Sequence, residues 1–309
     1  MTISATWYTD PGCPWAYSAT PALTALRWRY GDQLKWRLVT IGLTEDASQY
    51  ESRGLTPGRM AKVALAFRRY GMPFATEPKP RVAATSRACR AIVATRLLDP
   101  TREVEVHRAL QLTQFTSPIV LDDDEDLVRT LRRVPGLVAG AIVAAIDDDS
   151  VIAAYDADRD ESRDAAGSPT EFQGKGATTD DGRVRYTAPS VVFEAQDGRR
   201  LEAGGFQPVE AYDVCIANLD PTLHREAPPD SPLAILRRFP EGLVTEEVAL
   251  IMTHGNAAPD RLAAESALVD LVADGSARRI ALGDDALWQD ARAPAFGELA
   301  RLERATAAA

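Results

Sequence analysis

The chain has 309 residues, 45% of them apolar and 26% charged, and 35 Lys+Arg against 45 Asp+Glu give a net charge of −10. This is an ordinary globular composition with room for two domains at ~100–200 residues each, and its negative field excludes a general affinity for nucleic acid or anionic membrane. No apolar run approaches the roughly 20 residues of a membrane helix. The start, MTISATWYTDPGC, lacks the basic and apolar regions of a secretory signal, and the three scattered cysteines do not make a disulfide framework. A cytoplasmic location, without membrane contact, is the expectation.

Residues 2–9, TISATWYT, read as a strand of β-branched and aromatic residues. DPGCPW is a turn, and from Pro14 to Tyr30 the apolar spacing predicts a helix whose first position suits a proline. Residues 34–42 predict a second strand. From Thr56 to Ala165 the reading is helical throughout, too long for a simple crossover, and it predicts a helical insertion. Residues 166–187, rich in Gly, Thr and Asp, read as a loop. SVVFEA and LEAGGF around Asp197-Gly198 predict a β-hairpin, and Pro208 to Asn218 a helix. Strand–helix–strand, insertion, strand–strand–helix is the order of a thioredoxin-type core, so the fold class expected is α/β, with residues 1–55 and 166–223 as the core and 56–165 as the insertion. HREAPPDSP, residues 224–232, reads as a linker. The rest predicts three helices and a two-stranded wing turning at Gly283-Asp284, a winged-helix-like domain over 230–309.

Cys13 is the candidate catalytic residue. It precedes Pro14 at the predicted N-cap, where unpaired N–H groups and the helix dipole favour a thiolate. Ala16 stands where the second sulfur of a CxxC pair would be, so a mixed disulfide on Cys13 has no local resolving thiol. Either an external thiol resolves it or a distant cysteine moves to do so; alternatively Cys13 forms no disulfide with substrate, and instead stabilises a bound small thiol or adds to an electrophile and leaves again.

The stretch Asp10-Pro11-Gly12-Cys13-Pro14-Trp15-Ala16 resembles the active-site turn of the DsbA-like thioredoxin superfamily, nearest to its branch of 2-hydroxychromene-2-carboxylate isomerase-like, FrnE-like and mycothiol-dependent nitroreductase-like proteins. Val184 to Ser190 and Gly204 to Pro208 are similar to the cis-proline loop and following hairpin of that family. The resemblance implies a cis Ala188-Pro189 bond facing Cys13 and thiol-dependent redox, transfer or isomerisation chemistry on a small molecule. It implies no tightly bound cofactor, and mycothiol or glutathione as cosubstrate. Pro14, Trp15, Thr187, Ala188 and Pro189 are then the expected substrate- or thiol-binding residues. Ala16 departs from the dithiol pattern and favours single-cysteine chemistry.

Other features have plainer readings. Cys89 and Cys215 sit among apolar helix residues and read as core. The three histidines are too dispersed for a metal site. Asp122 to Asp126 read as a helix cap. Glu171, Gln173 and Lys175 lie on the loop before the proline; they read as a solvated loop, with covering of the site as the alternative. The would-be recognition helix of the C-terminal unit carries Asp260, Glu265, Asp270 and Asp274 against Arg261, so no nucleic-acid partner is expected, while a homodimer is allowed. The alternatives to an enzyme are a non-catalytic thioredoxin-fold protein that binds a ligand or partner, and a redox-linked regulator.

Overall fold

The computed structural model describes residues 2–296; residues 297–309 of the expected C-terminal unit lie outside them. Strand β1 (Ile3–Thr9) leads through the Cys13 turn into α1 (Pro14–Ser18) and α2 (Thr20–Tyr30), then β2 (Leu34–Thr40). The single helix expected over 14–30 is therefore two. Pro21 enters the second at its first turn without an N–H, and Ala19 joins the pieces.

The following segment holds α3 (Ser48–Glu51), α4 (Pro57–Phe67), α5 (Ser86–Leu98), α6 (Glu103–Thr116), α7 (Asp124–Leu131), α8 (Ala139–Ala145), α9 (Asp149–Ser162) and α10 (Pro169–Phe172). It is not helical throughout. Residues 73–85, with three prolines, run without regular structure between α4 and α5. The predicted cap is in place, with the Asp123 side chain accepting from Asp126 N–H at the start of α7. The 166–187 loop also departs from expectation. Besides α10 it carries β3 (Gly176–Thr178) and β4 (Val184–Tyr186), an antiparallel pair around the turn at Gly182.

β5 (Ser190–Glu194) and β6 (Arg200–Gly204) form the expected hairpin, with Gly198 at φ +83° in the turn, and α11 (Val209–Leu219) follows. The central sheet has the order β2-β1-β5-β6, with β1 parallel to β2 and the other pairs antiparallel. This is the thioredoxin-like arrangement. Alternation along the strands separates two apolar groups: Ile3, Ala5, Trp7, Leu38, Val191 and Phe193 join the main core, whereas Tyr8, Val39, Ile41 and Val192 surround Cys13.

The C-terminal part runs α12 (Pro232–Arg238), β7 (Leu243–Val244), α13 (Thr245–Met252), α14 (Arg261–Ala273), β8 (Ala277–Leu282) and β9 (Asp285–Asp290), with sheet order β7-β9-β8. This order is compatible with a winged-helix-like unit. It shares the main apolar core with the preceding residues. The carboxylate of Glu247, fully buried, accepts from Thr24 at 2.7 Å and from both terminal nitrogens of Arg108 at 2.9 and 2.6 Å. The stretch read as a linker is tied down too: Trp28 donates to Ala227 O at 2.9 Å, and Glu226 N–H to Arg29 O at 2.7 Å.

Candidate active site

Asp10 follows β1 and is fully buried. Its carboxylate accepts from the N–H groups of Gly12 and Leu43, both at 2.8 Å, from the Thr85 hydroxyl at 2.9 Å and from the Cys89 thiol at 3.5 Å. One side chain thus joins the turn after β1, the loop after β2 and the start of α5. A Cβ on Gly12 would come within 2.5 Å of Thr85 Cγ2, so the turn can approach α5 only with glycine there. Burial pushes the Asp10 carboxyl above its ordinary range, and the four donors pull it back down.

Cys13 occupies the N-cap of α1, with Pro14 at the first helical position. Its thiol donates to the carbonyl of Ala188 at 3.2 Å, and the Ala188-Pro189 bond is cis. The turn and the proline loop, 175 positions apart in sequence, therefore meet as expected. The charge state differs from expectation. Cys13 is only 6% exposed, and burial, with a smaller contribution from the Asp10 charge, pushes its thiol up to about 12. The N–H groups of Ala16 and Trp15 and the charge of Arg185 act the other way and are outweighed. The helix start is real, but desolvation dominates it, and Cys13 is a protonated donor here.

The remaining expected residues separate. Pro14 lines a cavity of about 200 Å³ beside the turn. Trp15 is 40% exposed and packs on Phe67, Tyr70 and Phe206 with ring centroids 4.7, 5.3 and 5.5 Å away, a surface aromatic cluster at the site's edge. The Thr187 hydroxyl donates to Lys175 O at 2.8 Å, which ties the proline loop to the residue before β3 and leaves the oxygen as an acceptor. Ser190 donates to Thr187 O at 2.7 Å and accepts from Gly205 N–H at 3.2 Å, fixing the loop from its other side. Tyr186 is a core residue, buried in the apolar group that holds Cys13 and stacked on Tyr8 at 4.3 Å.

The cavity is lined largely by apolar side chains, among them Leu43, Tyr50, Leu55, Met60, Phe74 and Phe115. Lys79 and Gln114 also reach it. The Lys79 ammonium donates to Ile119 O, and burial lowers it to about 8. Of these residues the turn motif points only to Gly12 and Pro14. Thr85, Lys79 and Tyr50 arrive from separate parts of the helical segment and leave no pattern in the sequence. Asp10 stands in the quoted motif, but its role appears only with its four donors. Cys89 is a core residue as read and also a donor beneath the site.

The family of DSBA-like thioredoxin domains matches residues 6–187. Among solved structures, a protein assigned as a disulfide isomerase from Nitrosomonas europaea is 18% identical, with TM-score 0.51 over 71% of this chain and 97% of that one. A protein assigned as a DsbA oxidoreductase from Streptomyces coelicolor is 16% identical, with TM-score 0.52 over 71% of this chain and 91% of that one. These likenesses concern the fold. The comparison with curated proteins gives no match. The matched span holds β1 from Thr6 onward, β2, the Cys13 turn, the helical segment and the loop up to Thr187, more than half of the sequence, and the chain belongs to the family of DSBA-like thioredoxin domains.

Proposed function

We propose that this chain is a thiol-dependent enzyme of the DsbA-like type. It binds a low-molecular-weight thiol, such as mycothiol or glutathione, beside Cys13 and uses that sulfur on a small apolar molecule seated in the adjoining cavity. The observation that carries this reading is the Cys13 thiol 3.2 Å from Ala188 O across a cis proline, with an apolar cavity opening at Gly12 and Pro14.

With a thiol at about 12, roughly one Cys13 in 10⁵ is ionised at pH 7. Cys13 therefore acts as a donor. Its S–H turns from Ala188 O to the cosubstrate sulfur and holds that sulfur as the thiolate, the form that attacks. The N–H groups of Trp15 and Ala16 add to the same field. Ala16 supplies no second sulfur, which suits a role in which the protein's own cysteine never forms the mixed disulfide.

Paired variants test it. Cys13→Ser keeps a donor and is expected to retain activity within about tenfold, whereas Cys13→Ala is expected to lose ~10²-fold or more, on the scale of a lost charge-assisted hydrogen bond in a dry site. Equal, complete loss in both variants would show that the sulfur itself is the nucleophile. The burial of Cys13 also favours a second reading, a non-catalytic ligand-binding protein. In that case both variants alter thiol affinity, and neither they nor the parent turn over a substrate.

A further inference from the structure

A second cleft, of about 240 Å³, lies on the other side of Leu43 from the apolar cavity, and Leu43 lines both. Its walls are the loop after β2, the end of α9 and the β3–β4 hairpin, and four arginines face it: Arg53, Arg159, Arg163 and Arg185. Among the described residues, only Arg159 of the four has carboxylate partners, Glu45 at 3.2 Å and Asp156 at 3.5 Å. Arg163 donates to Ile41 O and Arg159 O at 3.1 and 2.9 Å and to Ser162 Oγ at 3.2 Å, and Arg185 to Tyr186 O at 2.9 Å. Among the described residues no ion pair is formed by Arg53, Arg163 or Arg185.

Four guanidinium groups share the cleft with three carboxylates, those of Glu45, Asp180 and Asp181; half-buried cations in such an excess destabilise one another, and a bound anion relieves this. The mutual effect is visible. Burial lowers both Arg163 and Arg185; the charges of Arg159 and Arg185 lower Arg163 further against Asp181, while Asp10 raises Arg185 against a smaller lowering by Arg53. The cleft is not uniformly basic. Asp180 lines it with no partner among the described residues, next to Asp181, which accepts from Thr179 and Arg183. A simple dianion would meet these carboxylates. A zwitterion fits better, its carboxylate on the arginines and its ammonium toward Asp180.

We propose that this cleft binds the carboxylate end of a zwitterionic, amino-acid-like thiol whose sulfur reaches Cys13, so that the site selects such a thiol over an uncharged one. This rests on the reading that a low-molecular-weight thiol binds at Cys13. Two observations link the cleft to the Cys13 turn: Leu43, which lines the cleft, donates its N–H to Asp10 of that turn at 2.8 Å, and Arg185 favours the Cys13 thiolate by its charge.

Calorimetric titration with reduced glutathione and with its diethyl ester tests the assignment on the whole chain. The diacid should bind ~10-fold or more tightly than the ester; Arg53→Gln should cost the diacid ~5–10-fold while leaving the ester unchanged, and Arg185→Gln, whose charge also acts at the Cys13 sulfur, should cost the diacid ~5–10-fold more than it costs the ester, as for lost guanidinium–carboxylate pairs. Arg53 is exposed, so its variant separates binding from folding. Equal binding of diacid and ester, or diacid binding indifferent to both substitutions, would overturn the proposal. Cys13→Ala distinguishes it from the reading beneath it. Arginine dependence with affinity unchanged in that variant supports the anion cleft and overturns the thiol site. Cys13 dependence without arginine dependence overturns the cleft alone.

Discussion

Cys13 stands in two opposed fields. The first turn of α1 directs the N–H groups of Trp15 and Ala16 at the sulfur, and this favours the anion. Against this, Cys13 is buried in one apolar cluster with Tyr8, Ala16, Val39, Ile41 and Tyr186, and the Asp10 carboxylate adds its own charge. A five-residue helix has too weak a dipole to overcome the desolvation of a fully buried thiolate. Alkylation reports the balance. With a thiol at about 12, Cys13 should react with iodoacetamide at pH 8 roughly 10³-fold more slowly than a free cysteine, with the rate rising ~tenfold per pH unit toward pH 11. Cys215, half-buried at the edge of the core, should label first, which peptide mapping resolves. Labelling of Cys13 at the free-cysteine rate near neutral pH would contradict the donor role.

The same competition between a local preference and burial governs the elements. β1 and α6 meet at His107, which lies edge-on to Trp7 at 4.7 Å with its Nε2 3.2 Å from the Thr9 hydroxyl. Burial and the nearby Arg108 charge lower the imidazole to about 3, so it is neutral in the fold. The unfolded chain gains a proton below pH ~6.5 and the fold does not. Its contribution is whole above that pH and is lost by about 1.4 kcal/mol per pH unit as pH falls from 6.5 toward 3. Urea midpoints of the parent between pH 7 and pH 4 should fall more steeply than those of His107→Gln, and parallel curves would remove this assignment. Sequence showed the elements whose signal is local: the β-branched run of β1, the proline at the start of α1, the Asp197-Gly198 hairpin. It did not show the break before Pro21, because a proline in a first turn and one in a helix interior look alike without the boundary. β3 and β4 were hidden because they lie in a polar stretch and are fastened from outside, by Thr187 on Lys175 O and Arg183 on Asp160. β7 has two residues and exists only as a partner for β9. The site divides the same way. The Cys13 turn and Pro189 were legible as motifs, while the unpaired arginines became significant only once three separate segments faced one cleft.

At the scale of the whole molecule, the C-terminal unit takes part in shaping the site. Its wing turns at Gly283, where the backbone lies so close to Phe74 and Ala75 that an added Cβ would sit 3.4 Å from Ala75 N. Asp284, next in the turn, accepts from Phe74 N–H at 2.9 Å and pairs with Arg68 at 2.7 Å. Phe74 and Ala75 line the apolar cavity, in the irregular 73–85 segment that has no ladder of its own to hold it. The wing thus supplies the order that this wall lacks. Asp284→Ala removes one acceptor and one ion pair at a half-exposed position, a loss of about 1–2 kcal/mol. It leaves the shared core and the buried Arg108–Glu247 pair intact, so the global transition should move only slightly. Hydrogen exchange separates the local from the global effect. The amides of Phe74 and of Ala75, although Ala75 keeps its bond to Phe115 O, should exchange roughly tenfold faster in the variant, while β1 amides keep their protection. Unchanged exchange at both positions would mean that the wall holds itself, and the wing would then be a packing element with no bearing on the cavity.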